Sequence, residues 1–163
     1  GKVVTHEGGG HGFGRLLDEY RYYNESLPVD EQNVVNSWRA SDPYFGYNIS
    51  LTGDRELVHW KHYFDMAGYE AVGMYEGAYL YYMGAWRPEY ISCMEDNRPY
   101  YNAPSREAIV RRIMKASGST FDFDDFLAKD ARALSSGAVM AAQAPVVPYD
   151  FVPLAPPVLI DNR

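Results

Sequence analysis

One cysteine, Cys93, stands in 163 residues, so no disulfide can close within the chain. That removes disulfide staples as evidence for secretion without excluding secretion. No run of 18 apolar residues occurs, and a membrane-spanning helix is excluded on that ground. Cations are scarce as well: 15 Lys and Arg against 22 Asp and Glu leave a net charge of −7. Nucleic-acid binding needs clustered Lys and Arg. The basic cluster here is Arg106, Arg111, Arg112 and Lys115, which falls on an expected helix face beside acids and reads as a solvated face. No internal repeat and no signal peptide are visible. The chain opens directly on its most chemically suggestive segment, so a fragment is expected, with any targeting signal upstream.

Tyrosine, by contrast, is abundant: 15 Tyr, 7 Phe and 3 Trp in a chain of 18.5 kDa. A phenol ring offers apolar area and a hydrogen-bonding tip, which suits both core packing and binding surfaces. Size and an apolar content of 47% fit one domain with a single core.

The pattern along the chain predicts a helix over 2–20, with Val3, Val4, Phe13, Leu16 and Leu17 as apolar positions. Residues 21–56 read as loop-rich, with strand character only in "NVVNSW". A short helix is expected over 56–68, ending at Gly68. A hairpin or glycine-broken packing segment is expected over 69–86, and an irregular turn region after it. Ser105 is a suitable N-cap for "REAIVRRIMKAS", with Ile109, Val110, Ile113 and Met114 as its apolar stripe and Gly118 as its end. A last helix is expected from Phe123 to Leu134. The stretch 146–163 is rich in proline and expected to be extended, so the domain proper is placed at 1–145.

The segment "THEGGGHGFGRLLDEY", residues 5–20, carries the chemistry. A catalytic zinc site needs three protein ligands and an open position for water. In H-E-x-x-H the two His, four apart, lie about 40° apart around a helix, and the Glu beside the first reaches the water without binding the metal. Zinc lowers that water's pKa to about 7, and the Glu takes its proton and passes it to the leaving amine. Here His6 and His11 are five apart, an angle of about 140° on an ideal α-helix. A single π-turn would absorb the extra residue and restore the register. Gly8, Gly9 and Gly10 make such a widened turn easy. His6 and His11 are therefore candidate metal ligands and Glu7 the candidate general base and acid. A phosphate-cradling loop fits poorly. G-x-G-x-x-G frames from Gly8 and Gly10 end on Phe13 and Arg15, the frame from Gly9 fails at His11, and no G-K-[ST] follows.

The third ligand stays open among several residues. The metzincin pattern places it six residues after the second His, where this chain has Leu17. Asp18, one later, is the preferred choice; Glu19, His59 and His62 are the alternatives.

"HEGGGHGFGRLLDEY" together with "YEGAYLYYMGAWRPEYISCMEDNRPYYNAPSREAIVRRI" resembles the IgA-peptidase-type zinc metallopeptidases of the metzincin group. The likeness covers roughly residues 1–115. It rests on the spacing from His11 to Tyr20 of D-E-Y, on Glu76-Gly77, on Arg87-Pro88, and on the Ser92-Cys93-Met94 turn. It implies an α+β, zincin-like catalytic domain with an active-site helix, a Met-turn at Met94 and C-terminal helices. The family's N-terminal sheet, whose edge strand would align a peptide, is expected to lie upstream of this chain. It further implies Zn2+ as cofactor, a protein or peptide substrate, and a bacterial cell envelope or exterior location.

The leading expectation is thus a zinc metalloendopeptidase with His6, His11 and Asp18 on the metal, Glu7 as base and Met94 beneath. A tyrosine hydroxyl is expected to stabilise the oxyanion. The alternative is a non-catalytic peptide- or glycan-binding module derived from a zincin fold; a zinc hydrolase of non-peptide amides is a weaker third. N-x-S at Asn24 and Asn48 reads as chance. Peptide specificity and oligomeric state have no legible code.

Overall fold

The structure is a computed structural model that describes residues 2–130. The expected tail 146–163 and the last residues of the expected final helix lie outside them. The architecture is α+β. Five helices, α1 (Lys2–Val4), α2 (Val29–Ser41), α3 (Cys93–Asp96), α4 (Ala103–Ala116) and α5 (Phe123–Lys129), accompany a π-helix (Thr5–Gly14) and three strands. The strands are β1 (Arg21–Ser26), β2 (Tyr75–Ala78) and β3 (Leu80–Arg87), in spatial order β1-β3-β2. β2 and β3 form the expected hairpin, antiparallel, with Tyr79 at φ 50° turning the chain. β1 runs parallel to β3.

The first helix does not continue to Tyr20. It ends at Gly14, where Arg15 adopts a left-handed conformation (φ 50°) and its N–H bonds Gly10 O. Leu16–Tyr20 carry no regular structure and lead into β1, so Leu16 and Asp18 are placed by the break at Arg15 and not by helical periodicity. The segment "NVVNSW" is helix α2, not strand. Pro28 is its N-cap residue, Asp30 and Glu31 fill its first turn, and only Val35 is buried. Tertiary bonds secure its far end: Arg39 donates to the carbonyls of Phe45, Gly46 and Ile49. Those contacts override the strand preference of a Val-Val pair.

Residues 56–68 are turns around a 3-10 helix at Lys61–Tyr63, not an α-helix. Trp60 and Tyr63, both fully buried, anchor one apolar cluster there with Val58, Tyr69, Val72, Ala103 and Phe126. In α4 the cap is Asn102, whose side chain accepts from Ser105 N at 3.0 Å. Ser105 lies inside the helix and is buried. The buried face is Ala103, Pro104, Ser105, Glu107 and Ala108, while Ile113 of the expected stripe is exposed. The basic cluster is not simply solvated: Arg106 pairs with Asp130, Arg111 with Glu107 and Arg112 with Asp42. A second apolar cluster, Leu16, Tyr47, Met94 and Ala108, floors the π-helix. A third, Leu27, Ile49, Ala78 and Ala85, backs the sheet. No helix among the described residues is long and apolar enough to cross a membrane.

Candidate metal centre

The expected single π-turn is a π-helix of ten residues. With an i→i+5 ladder, residues five apart stack along one face, which is the register that His6 and His11 need. Gly10 is where the widened helix meets its floor. A Cβ there would overlap Met94 Sδ, so the close approach of Met94 requires glycine. Met94 is fully buried in α3, a turn that Ser92 caps by accepting from Met94 N at 3.1 Å.

His6, His11 and Asp18 come together. His6 Nε2 lies 3.2 Å from His11 Nε2, and Asp18 Oδ1 is 3.0 Å from the first and 3.1 Å from the second. The two rings meet edge-on, centroids 4.9 Å apart. Each ring is held from behind by a carbonyl: His6 Nδ1 donates to Cys93 O at 2.8 Å, and His11 Nδ1 donates to Leu16 O at 2.8 Å. A carbonyl only accepts, so Nδ1 carries the hydrogen in both rings; in the neutral rings both Nε2 present lone pairs, and a proton added to either Nε2 is donated to Asp18.

Two imidazole lone pairs and a carboxylate oxygen thus face one another at contact distance, an arrangement that requires positive charge among them. A proton or a cation can supply it. Donors bound about 2.0–2.1 Å from a tetrahedral zinc stand about 3.3 Å apart, close to what is seen here. The donor set, two imidazoles and one carboxylate, is also that of known catalytic zinc sites. The residues therefore fit a zinc ion, and orienting carbonyls behind each imidazole are what such ligands require.

The electrostatics agree with a cation-seeking cluster. Burial pushes the Asp18 carboxyl up, but the bonds from His11 and His6 outweigh it and hold it at about 2. Burial pushes both imidazoles down, and their bonds to Asp18 reverse that, raising each above the usual value. Glu7 is exposed, one residue past the buried His6. It is not among the three converging ligands, and its charge reaches both His11 and Tyr20.

The alternative third ligands lie elsewhere. Glu19 is fully buried and turned away, accepting from Asn48 Nδ2, Asn102 Nδ2 and Ser92 Oγ. His59 stacks on Tyr47 at 5.4 Å, and His62 donates to Glu107 at 2.8 Å.

Sequence reasoning missed two parts of this site. Tyr20 stacks on His6, ring centroids 6.3 Å apart, and burial, then the charge of Asp18 beside it, raises its hydroxyl pKa. Its place in D-E-Y was legible, its contact with the ligand was not. Asn48 clamps the peptide before Asp18, accepting from Leu17 N at 2.9 Å and donating to Leu17 O at 2.7 Å. The N-x-S match gave no hint of that.

No protein-family model matches the chain, and no curated protein matches it.

Proposed function

We propose that this chain carries the catalytic centre of a zinc-dependent endopeptidase, with His6, His11 and Asp18 as the metal ligands. One observation carries the reading: three donor atoms converge within 3.0–3.2 Å of one another while the neighbouring carboxylate, Glu7, is exposed and outside the cluster. Zinc, when bound, supplies Lewis-acid polarisation and lowers the pKa of water to about 7. Glu7 accepts the proton of the attacking water and delivers it to the leaving amine nitrogen. Asp18, ionised throughout the neutral range, gives the ligand set its one negative charge. Tyr20 packs against His6 beside the ligand set, and we assign its hydroxyl to the oxygen of the reacting carbonyl. A cell-envelope or exterior setting in a bacterium belongs to the same reading.

Metal analysis of the purified protein, with casein and immunoglobulin cleavage by wild type and Glu7→Ala, tests it. The expected result is stoichiometric zinc in both proteins and a rate loss of about 10²–10⁴-fold in the variant. Equal rates would rule the mechanism out. Stoichiometric zinc with no cleavage by wild type would favour a peptide- or glycan-binding module. That second reading draws on a run of tyrosine rings leading away from the ligands, Tyr20 to Tyr22 at 5.1 Å, Tyr22 to Tyr23 at 6.4 Å and Tyr23 to Tyr81 at 5.3 Å.

A further inference from the structure

Glu19 touches neither imidazole, yet its bonds run to both sides of the ligand set. Its Oε2 accepts from Ser92 Oγ at 2.6 Å, and its backbone N–H donates to Met94 O at 2.8 Å. Between those two residues lies Cys93, whose carbonyl orients His6. Its Oε1 accepts from Asn48 Nδ2 at 2.7 Å. Asn48 in turn grips both polar groups of Leu17, the residue between the Leu16 carbonyl that orients His11 and the ligand Asp18. The same oxygen accepts from Asn102 Nδ2 at 2.7 Å, which ties the arrangement to the start of α4. These three side-chain donors are all neutral, and Glu19 is wholly buried.

We infer that Glu19 is a positioning residue. By joining Ser92 to Asn48 it fixes the spacing of the two carbonyls that aim His6 and His11, and so sets the affinity of the site for its metal. The inference rests on the zinc reading above but not on peptidase activity. Partners behind metal ligands commonly contribute 10–100-fold to affinity. Here one carboxylate serves both ligands at once. The claim concerns hydrogen-bond geometry, so a neutral isostere should substitute. Gln at this position keeps an oxygen for the two Asn amides and turns an N–H toward Ser92 Oγ.

The experiment is zinc affinity by competition with a chromogenic chelator, alongside thermal unfolding of the metal-free protein, for wild type, E19Q, E19A and S92A. Cobalt substitution, read by visible absorption, reports the ligand geometry in the same set. E19Q is expected to bind zinc within about 3-fold of wild type, and E19A to bind about 10–100-fold more weakly, with an altered cobalt spectrum. S92A removes only the hydroxyl between Glu19 and the Met94 turn. It decides the matter if E19A does not fold, and should weaken zinc about 10-fold in a folded protein. Wild-type affinity in folded E19A or S92A would overturn the inference. So would an E19Q as weak as E19A, since charge and not geometry would then govern. A wild type that holds zinc but cuts nothing would sink the peptidase reading and leave this comparison to be decided by affinity. A wild type that binds no zinc would overturn both.

Discussion

Glu19 and Glu107 are both fully buried glutamates, and they behave in opposite ways. Burial pushes the Glu19 carboxyl up to about 7, against the pull of the Ser92, Asn48 and Asn102 donors. Burial pushes Glu107 up too, but His62 and Arg111 outweigh it and hold its carboxyl below the usual range. His62 Nε2 and Arg111 Nε each lie 2.8 Å from the Glu107 carboxylate, and Tyr63 donates at 3.0 Å. Both carboxylates lie out of solvent, and their partners differ: His62 and Arg111 bond Glu107 directly, whereas Glu19 is bonded by neutral donors, with the charge of Arg87 adding less than any of them. The difference also separates two kinds of region. Around Trp60 and Tyr63, charged hydrogen bonds to Glu107 and tilted and edge-on ring contacts hold a structural core. Around the π-helix, the hydrogen bonds to the buried Glu19 carboxylate come from neutral donors.

The contrast can be broken by making one substitution in both places. Glu107→Gln leaves Arg111 without its counter-charge and takes a carboxylate acceptor from His62 and Tyr63. It should cost about 3 kcal/mol in urea unfolding at neutral pH, while Glu19→Gln should leave stability close to wild type. Equal losses would show that burial, not partner charge, governs both. By sign, the Glu107 contribution is complete above the unfolded carboxyl value and is lost as pH falls through its lower folded one. A smaller effect sharpens the site side. Gly10→Ala drives a Cβ into Met94 Sδ and should cost about 2 kcal/mol, with weakened zinc binding. An unchanged thermal midpoint would mean that Met94 moves aside freely. The smallest effect belongs to His59. Burial, then the charge of Arg39, lowers its imidazole to about 4. The unfolded chain takes up that proton near pH 6.5, so folding stability falls as pH drops from there toward 4. His59→Phe should flatten this slope by about 1 kcal/mol between pH 6.5 and 5. A slope identical to wild type would remove His59 from the account.

Much of the candidate centre was legible because its logic is local. A five-residue spacing with three glycines between two histidines demands a widened helix if both rings are to serve one ion, and the π-helix over Thr5–Gly14 has that register. Its extent was not legible, since glycine permits such a backbone without specifying how far it runs. The hairpin was one of two readings of the glycine spacing and aromatic runs over 69–86, the other being a glycine-broken packing segment. Helix α2 was not legible, because its Val-Val pair favours a strand, while its acidic first turn, buried Val35 and the Arg39 bonds go with a helix. The 3-10 turn at Lys61–Tyr63 was misjudged for a similar reason: Trp60 and Tyr63 are fixed by the cluster they enter, not by a helical period.

The amino-acid order by itself determined the donor types, their spacing along the π-helix and the reserve carboxylate at Glu7, because covalent neighbours fix what a single turn can present. It favoured Asp18 over Glu19 by position alone and left the choice open. Those two are adjacent, chemically alike and both buried. What separates them is a left-handed Arg15 that sends the chain past His11, and a pocket built from Asn48, Ser92 and Asn102 that takes the second carboxylate away. Those groups lie 29, 73 and 83 residues along the chain from Glu19, so only the folded arrangement could decide which acid joins the two histidines and which one is drawn into the buried hydrogen-bond network.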